Sequence, residues 1–148
     1  MPVQIDPYLT YETGYPDKHL VMTGDAFQKM LNFLECSPVT VFDFETSGLE
    51  WFNHSEACGL ALAGWDQGQI HNFYVPYRHR TGERQLDIGV IGDALKKLLA
   101  DERKPKIAHN LTFDEHIARK EGWQVRGARY DTMVGARLFD ENRKIGLK

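Results

Sequence analysis

Val41-Phe42-Asp43-Phe44-Glu45-Thr46 decides how this chain is read. A β-branched and aromatic run of this length predicts a strand, and strand residues at i and i+2 share a face. Phe42 and Phe44 then enter a core, while Asp43 and Glu45 aim two carboxylates at one spot on the other side. Two like charges beside a buried apolar face are costly unless a positive group neutralises them. A hard divalent cation with oxygen ligands meets that need, and Mg2+ or Mn2+ is the usual choice. Taken alone, the same pattern also suits a half-buried edge strand with two solvated acids.

Before this strand, Thr23 suits an N-cap and Asp25 the first turn of a helix. Phe27, Met30, Leu31 and Leu34 recur at helical spacing, which predicts a helix over 24–36 that Pro38 closes. Residues 1–18, interrupted by Pro2, Pro7 and Pro16, read as an irregular N-terminal arm. After the strand, 57–65 is an almost continuous apolar run, 66–69 a turn, and Ile70 to Val75 a further strand before Pro76. These three strands form a meander. Arg78, His79, Arg80 and Arg84 follow in a loop. With Tyr74 and Tyr77 they could touch a nucleic-acid backbone or base, but a solvated loop is the preferred reading.

Ile88, Ile91, Leu95, Leu98 and Leu99 predict a helix over 87–101, broken by Pro105. Lys106 to His109 is a short strand, and Leu111 to Glu121 a helix with Gly122 behind it. Asp131 suits the cap of one more helix, carrying Met133, Val134, Leu138 and Phe139. The predicted order is helix, three strands, helix, strand, helix, helix, a mixed α/β domain.

Composition narrows the function without choosing it. The net charge of −3 gives no global attraction to nucleic acid, so any such site is local or depends on bound metal. Hydrophobic residues at 42% and charged residues at 26% are ordinary for a soluble globular domain. No stretch approaches the roughly 18 apolar residues of a membrane span, and no secretory signal is visible. Cys36 and Cys58 form no CxxC pair and read as reduced thiols of a cytoplasmic protein. His54, His71, His79, His109 and His116 show no metal-ligand spacing.

A second motif supplies a third acid. In Ile107-Ala108-His109-Asn110-Leu111-Thr112-Phe113-Asp114 a short strand runs into a helix, and Asp114 sits one turn in. By itself, Asp114 is equally a first-turn acid favoured by the helix dipole. A strand with D-x-E followed by strand, Asn-x-x-(Phe/Tyr)-Asp and helix resembles the first two motifs of the DEDD 3′–5′ exonuclease superfamily. Tyr130-Asp131-Thr132-Met133, with Ala136-Arg137-Leu138 behind it, resembles the D-T-M helix of polymerase I proofreading domains in bacteria and phages. The resemblance covers residues 19–148 and implies a ribonuclease H-like mixed sheet with flanking helices.

The resemblance also implies roles. Asp43 matches the acid that bridges two divalent cations, Glu45 the ligand of the cation that activates water, and Asp114 a ligand of the second cation. Thr46, Leu49, Asn110 and Phe113 match positions that hold the terminal nucleotide, with core packing open as the alternative for Leu49 and Phe113. Asp131 reads as a helix cap. The implied reaction is hydrolysis at the 3′ end of single-stranded or frayed DNA, releasing 5′-mononucleotides. The implied partner is an attached polymerase domain, and the implied location the cytoplasm of a bacterium or phage host.

The sequence departs from the family in one respect. The fourth acid, expected on a later helix in a Tyr-x-x-x-Asp or His-x-x-x-x-Asp pattern, has no match here. The domain is therefore expected to be incomplete at its C-terminus, weak or inactive alone, and prone to self-association through an uncovered face. The alternative is a non-catalytic module that binds a single strand or is completed by a partner.

Overall fold

A computed structural model describes residues 18–50, 55–142 and 144–146. Most of the expected arm, and His54, lie outside the described residues. Three strands form the meander: β2 (Thr40–Thr46), β3 (Ala57–Asp66) and β4 (Gln69–Pro76). They are flanked by β1 (Lys18–Leu20), β5 (Lys106–Ala108) and β6 (Ala128–Asp131). The order across the six-stranded sheet is β1-β4-β3-β2-β5-β6. β2, β3 and β4 pair antiparallel, whereas β1 pairs parallel with β4, β5 with β2, and β6 with β5. The helices are α1 (Gly24–Cys36), α2 (Ile88–Ala100), α3 (Leu111–Lys120) and α4 (Thr132–Phe139).

The helices start and stop where local chemistry directs. The Thr23 hydroxyl accepts the Ala26 N–H at 3.2 Å, and the Asp87 carboxylate accepts the Gly89 N–H at 2.8 Å. Gly122 follows α3 with φ of +73°, the left-handed conformation that glycine adopts without a Cβ clash. The β3–β4 hairpin turns through Gln67 and Gly68, both at positive φ, as a type I′ turn requires.

Two edge strands escape the sequence reading. Lys18, assigned there to the irregular arm, belongs to β1. β6 lies where the spacing predicts only a link between two helices. Both are short, and in a strand of three or four residues alternation carries little information. Each gains its identity from the neighbour it pairs with.

One face of the sheet holds the core. Phe42, Phe44, Leu60, Leu62, Phe73 and Val75 are buried on it. Against them pack Met30, Phe33 and Leu34 of α1. A Cβ on Gly64 would fall 2.8 Å from the Phe33 ring, so this glycine lets α1 approach β3 closely. Ile91, Leu95 and Leu99 of α2, Ile117 and Ala118 of α3, and Trp123 join the same core.

The opposite face is far less covered. Register places Val41 beside Ala63 and Ile107, and Ile107 beside Tyr130; Trp65 pairs with Ile70. Val41, Trp65, Ile70 and Tyr130 are all exposed, and α4 buries no residue. An apolar stripe of this kind marks a surface suited to covering by protein.

Lys106 is fully buried, and its ammonium donates to the carbonyls of Asp101 (2.6 Å), Lys104 (3.1 Å) and Arg126 (2.8 Å). It thereby ties the end of α2 to the approach to β6. Burial pulls its pKa below the ordinary lysine value. Replacing Lys106 with Ala would leave three carbonyls without that donor, and we expect a loss of about 3 kcal/mol. Urea unfolding followed by tryptophan fluorescence measures it; an unchanged midpoint would contradict the role given to this side chain.

Candidate active site

The alternation of β2 sets up the site. Phe42 and Phe44 are buried, and Asp43 and Glu45 are exposed on the other face. Asp43 stands beside Ala61, and Glu45 beside Gly59. The next sheet position out from Ala61 is Tyr74. A Cβ on Gly59 would lie 2.2 Å from the Tyr74 hydroxyl, so the ring lies over that glycine. The floor next to the two acids is therefore made of small residues and one tyrosine.

The Tyr74 hydroxyl is hydrogen-bonded to Nε2 of His79. Gln85 clamps the His79 backbone from both sides, accepting its N–H and donating to its carbonyl, each at 2.7 Å. Burial pushes the Tyr74 phenol up, helped by the Cys58 and Glu45 charges. The Cys58 thiol donates to the Glu45 carbonyl at 3.3 Å, and its own pKa is raised by burial and by Glu45.

Asp114 reaches the site from α3. β5 pairs with β2 only at Thr40 and Val41, so beyond that point α3 replaces a strand. Asp114 is fully buried, and its Oδ1 accepts the N–H of Phe44, the residue between Asp43 and Glu45, at 2.8 Å. Its Oδ2 is buried without a hydrogen-bond partner. Burial drives its pKa up to about 7; the Phe44 bond opposes this, while the charges of Asp43 and Asp131 add to it. A buried carboxylate oxygen without a protein partner is stabilised by a proton, a water or a cation. This donor set of hard oxygens fits a divalent cation such as Mg2+ or Mn2+.

The three acids do not yet close around one point. Among the described residues no three His, Cys, Asp or Glu side chains gather at metal-holding distance. The reason is local: the Phe44 N–H draws the Asp114 carboxylate against the β2 backbone.

The remaining predicted residues divide. Thr46 is half-buried, and its hydroxyl donates to the Gly48 carbonyl at 2.7 Å. Leu49 is 85% exposed, so core packing does not account for it. Phe113 is partly buried and packs against the core. Asn110 caps α3 at φ of +61° and forms no side-chain cap bond.

That missing cap reveals the residue whose reach the sequence understated. Asp131 caps α4, accepting from Met133 (2.8 Å) and Val134 (3.4 Å). It also accepts from Asn110 (3.0 Å) and Leu111 (2.9 Å) at the start of α3. Burial raises its pKa, but these four backbone N–H bonds outweigh burial and hold it below the ordinary range. Asp131 thus locks the turn that carries Asn110, Phe113 and Asp114. The sequence offers no signal for this, since Asn is itself an ordinary N-cap residue; α3's first N–H groups take their acceptor from Asp131 instead.

The basic, aromatic patch does not form as a unit. Tyr77 is buried, and Arg78 is held by Glu121 in a two-pronged ion pair at 2.6 and 3.0 Å. Arg80 and Arg84 are exposed.

A family profile described as 3′–5′ exonuclease matches residues 19–148. DNA polymerase I of Synechocystis sp. is 33% identical over 106 residues, covering 72% of this chain and 10% of that protein. DNA polymerase I of Pseudomonas aeruginosa is 28% identical over 128 residues, covering 84% of this chain and 14% of that protein. The chain thus spans only about a tenth to a seventh of the length of these relatives. Among solved structures, the Pol1 of M. smegmatis with primer-template DNA superposes with a TM-score of 0.63 at 19% identity. It covers 87% of this chain and 20% of its own. The EXO domain of Aedes aegypti Nibbler gives 0.62 at 18% identity, covering 96% of this chain and 61% of its own. At such identities the superpositions speak for the fold, a ribonuclease H-like exonuclease architecture.

The elevated pKa of Asp114 makes stability depend on pH. A raised carboxyl favours the folded state while protonated, so its contribution is full below about pH 4 and lost as pH rises through about 7. Without divalent cations, stability should fall between about pH 4 and 7 by up to about 1.4 kcal/mol per pH unit, and level off above that. Asp131 titrates below this window, because its pKa is lowered. Denaturant unfolding of Asp114→Asn should lose the slope; an equal slope in both proteins would contradict the assignment.

Proposed function

Because the chain belongs to the 3′–5′ exonuclease family of DNA polymerase I, we propose that it hydrolyses the terminal phosphodiester bond of a DNA 3′ end, releasing 5′-mononucleotides. The observation that carries this reading is the orphaned Oδ2 of Asp114, on a carboxylate anchored between two exposed acids of β2. Asp43, Glu45 and Asp114 would hold two divalent cations, Mg2+ or Mn2+, which supply an activated water and neutralise charge on the phosphate. The chain's own part is positional. Asp43 and Glu45 present fixed oxygens from a rigid strand. Asp114 would bind such a cation as the carboxylate, releasing its proton to solvent, and the cation would lower the cost of burying that charge. Thr46 and Leu49, just past the acids, would meet the terminal nucleotide, with Leu49 offering an exposed apolar surface for a base. Asn110 and Phe113 would line the same pocket from α3.

In this reading the natural substrate is a single-stranded or frayed end, and the working protein carries a polymerase domain, as its relatives' names suggest. It would act in the cytoplasm of a bacterium or phage host; no described helix is long and apolar enough to cross a membrane. The exposed stripe of Val41, Trp65, Ile70 and Tyr130 would be covered by further protein, or by a second copy of the chain. That exposed stripe also suits a second reading, a non-catalytic single-strand-binding or partner-completed module.

Mn2+ binding and trimming of a 5′-labelled single strand separate the two readings. On the first, electron paramagnetic resonance finds a weak, millimolar Mn2+ site that Asp43→Ala abolishes. Mn2+-dependent trimming, however slow, then falls about a hundredfold or more in the same variant. Mn2+ binding unchanged by Asp43→Ala would remove the metal site, and strand binding without any trimming would favour the second reading.

A further inference from the structure

Beside Glu45 the surface opens into a cleft of about 460 Å³, walled by Glu45, Thr46, Glu56, Cys58, His79 and Arg80, with Arg78 at its edge. That volume lies within the roughly 300–1,000 Å³ of small-ligand sites. The cleft starts at one of the candidate metal ligands and runs away from the other two, so the acids leave it without an assignment.

Its charges are unevenly committed. Glu45 and Glu56 contribute two carboxylates. Arg78 is committed to Glu121, also donates to the Ala57 carbonyl at 3.2 Å, and stands 5.5 Å from the centre of the Tyr77 ring. Arg80 has no ion pair or hydrogen bond among the described residues and is exposed. Its base is nonetheless fixed. The preceding residue is His79, held by Gln85 through both backbone groups and by Tyr74 through its ring. A guanidinium on an anchored backbone gives up less freedom when it binds than one on a loose loop. Guanidinium forks suit phosphate oxygens in two-pronged geometry.

We propose that this cleft is a backbone subsite for single-stranded nucleic acid, in which Arg80 grips a phosphodiester adjacent to the one presented to the acids. The subsite extends the exonuclease reading and rests on it for the choice of nucleic acid as ligand. Arg80 would decide how firmly the strand is held, and the acids whether it is cut. Arg78, already neutralised, would shape the wall and contribute no free charge.

The test is fluorescence anisotropy of a labelled oligothymidylate with the 148-residue chain, in EDTA, over a series of salt concentrations. EDTA keeps the result independent of any bound cation. Arg80→Ala should weaken binding several-fold and make the slope of log K against log salt shallower by about 0.7, one single-strand phosphate contact. Arg80→Lys should restore most of the slope. Arg84→Ala, an exposed change on the same loop outside the cleft, should leave affinity and slope nearly at wild type. Equal slopes for wild type and Arg80→Ala would overturn the subsite, as would an equal loss in Arg84→Ala. Absence of strand binding by the wild type would overturn it too. Mn2+ binding by the same proteins, measured in a separate series without EDTA, reports on the acids, so failure of the metal site is distinguished from failure of the subsite.

Discussion

One buried hydrogen bond, from the Phe44 N–H to Oδ1 of Asp114 at 2.8 Å, ties the first turn of α3 to the acid-bearing strand β2. It exists because β5 is short. The β2–β5 ladder stops at Val41, and the next backbone donors on that side of β2 need an acceptor. α3 arrives in the space a longer β5 would fill, and its first-turn carboxylate takes the Phe44 N–H. The bond places a buried acid directly behind the strand residues that present Asp43 and Glu45. It also leaves Oδ2 without a hydrogen-bond partner among the described residues, which is unfavourable for an ionised carboxylate and useful for a cation.

Asp131 extends that constraint through the sheet. Its four backbone bonds tie the start of α3 to the start of α4 and the end of β6. Lys106 does the corresponding work at the other end of β5, gathering three carbonyls around one ammonium. The acid side of the sheet is thus held by two buried or half-buried charges whose partners are backbone groups. Such contacts fix position more sharply than apolar packing, which tolerates sliding. The two faces divide the remaining work. One is closed by α1, α2 and α3 over aromatic and branched residues; the other keeps a floor of Gly59, Ala61 and Ala63 beside the acids and an exposed stripe beyond them.

The sequence made the long, strongly patterned elements legible. Alternation in β2, the run of β3, and the stripes of α1 and α2 carry enough repeats to fix both type and face. The D-x-E spacing alone puts two acids on one side of a strand. β1 and β6 were not legible, since three or four residues take their identity from pairing and not from pattern. The direction of the Asp114 carboxylate was also hidden, because it depends on where β5 stops relative to β2. Asp131 was read as the cap of one helix and proved to serve two. Its second partner lies on an element twenty residues earlier in the chain, and no local spacing reveals it. Arg78 could be counted as basic, but its neutralisation by Glu121 is a tertiary fact.

The central claim is that the orphaned Asp114 oxygen waits for a cation. The 13C chemical shift of the Asp114 side-chain carboxyl, recorded near pH 6 with and without saturating Mg2+, tests it most directly. The account predicts a largely protonated carboxyl without metal, and an ionised carboxylate once Mg2+ is added. A signal that Mg2+ leaves unmoved would contradict it.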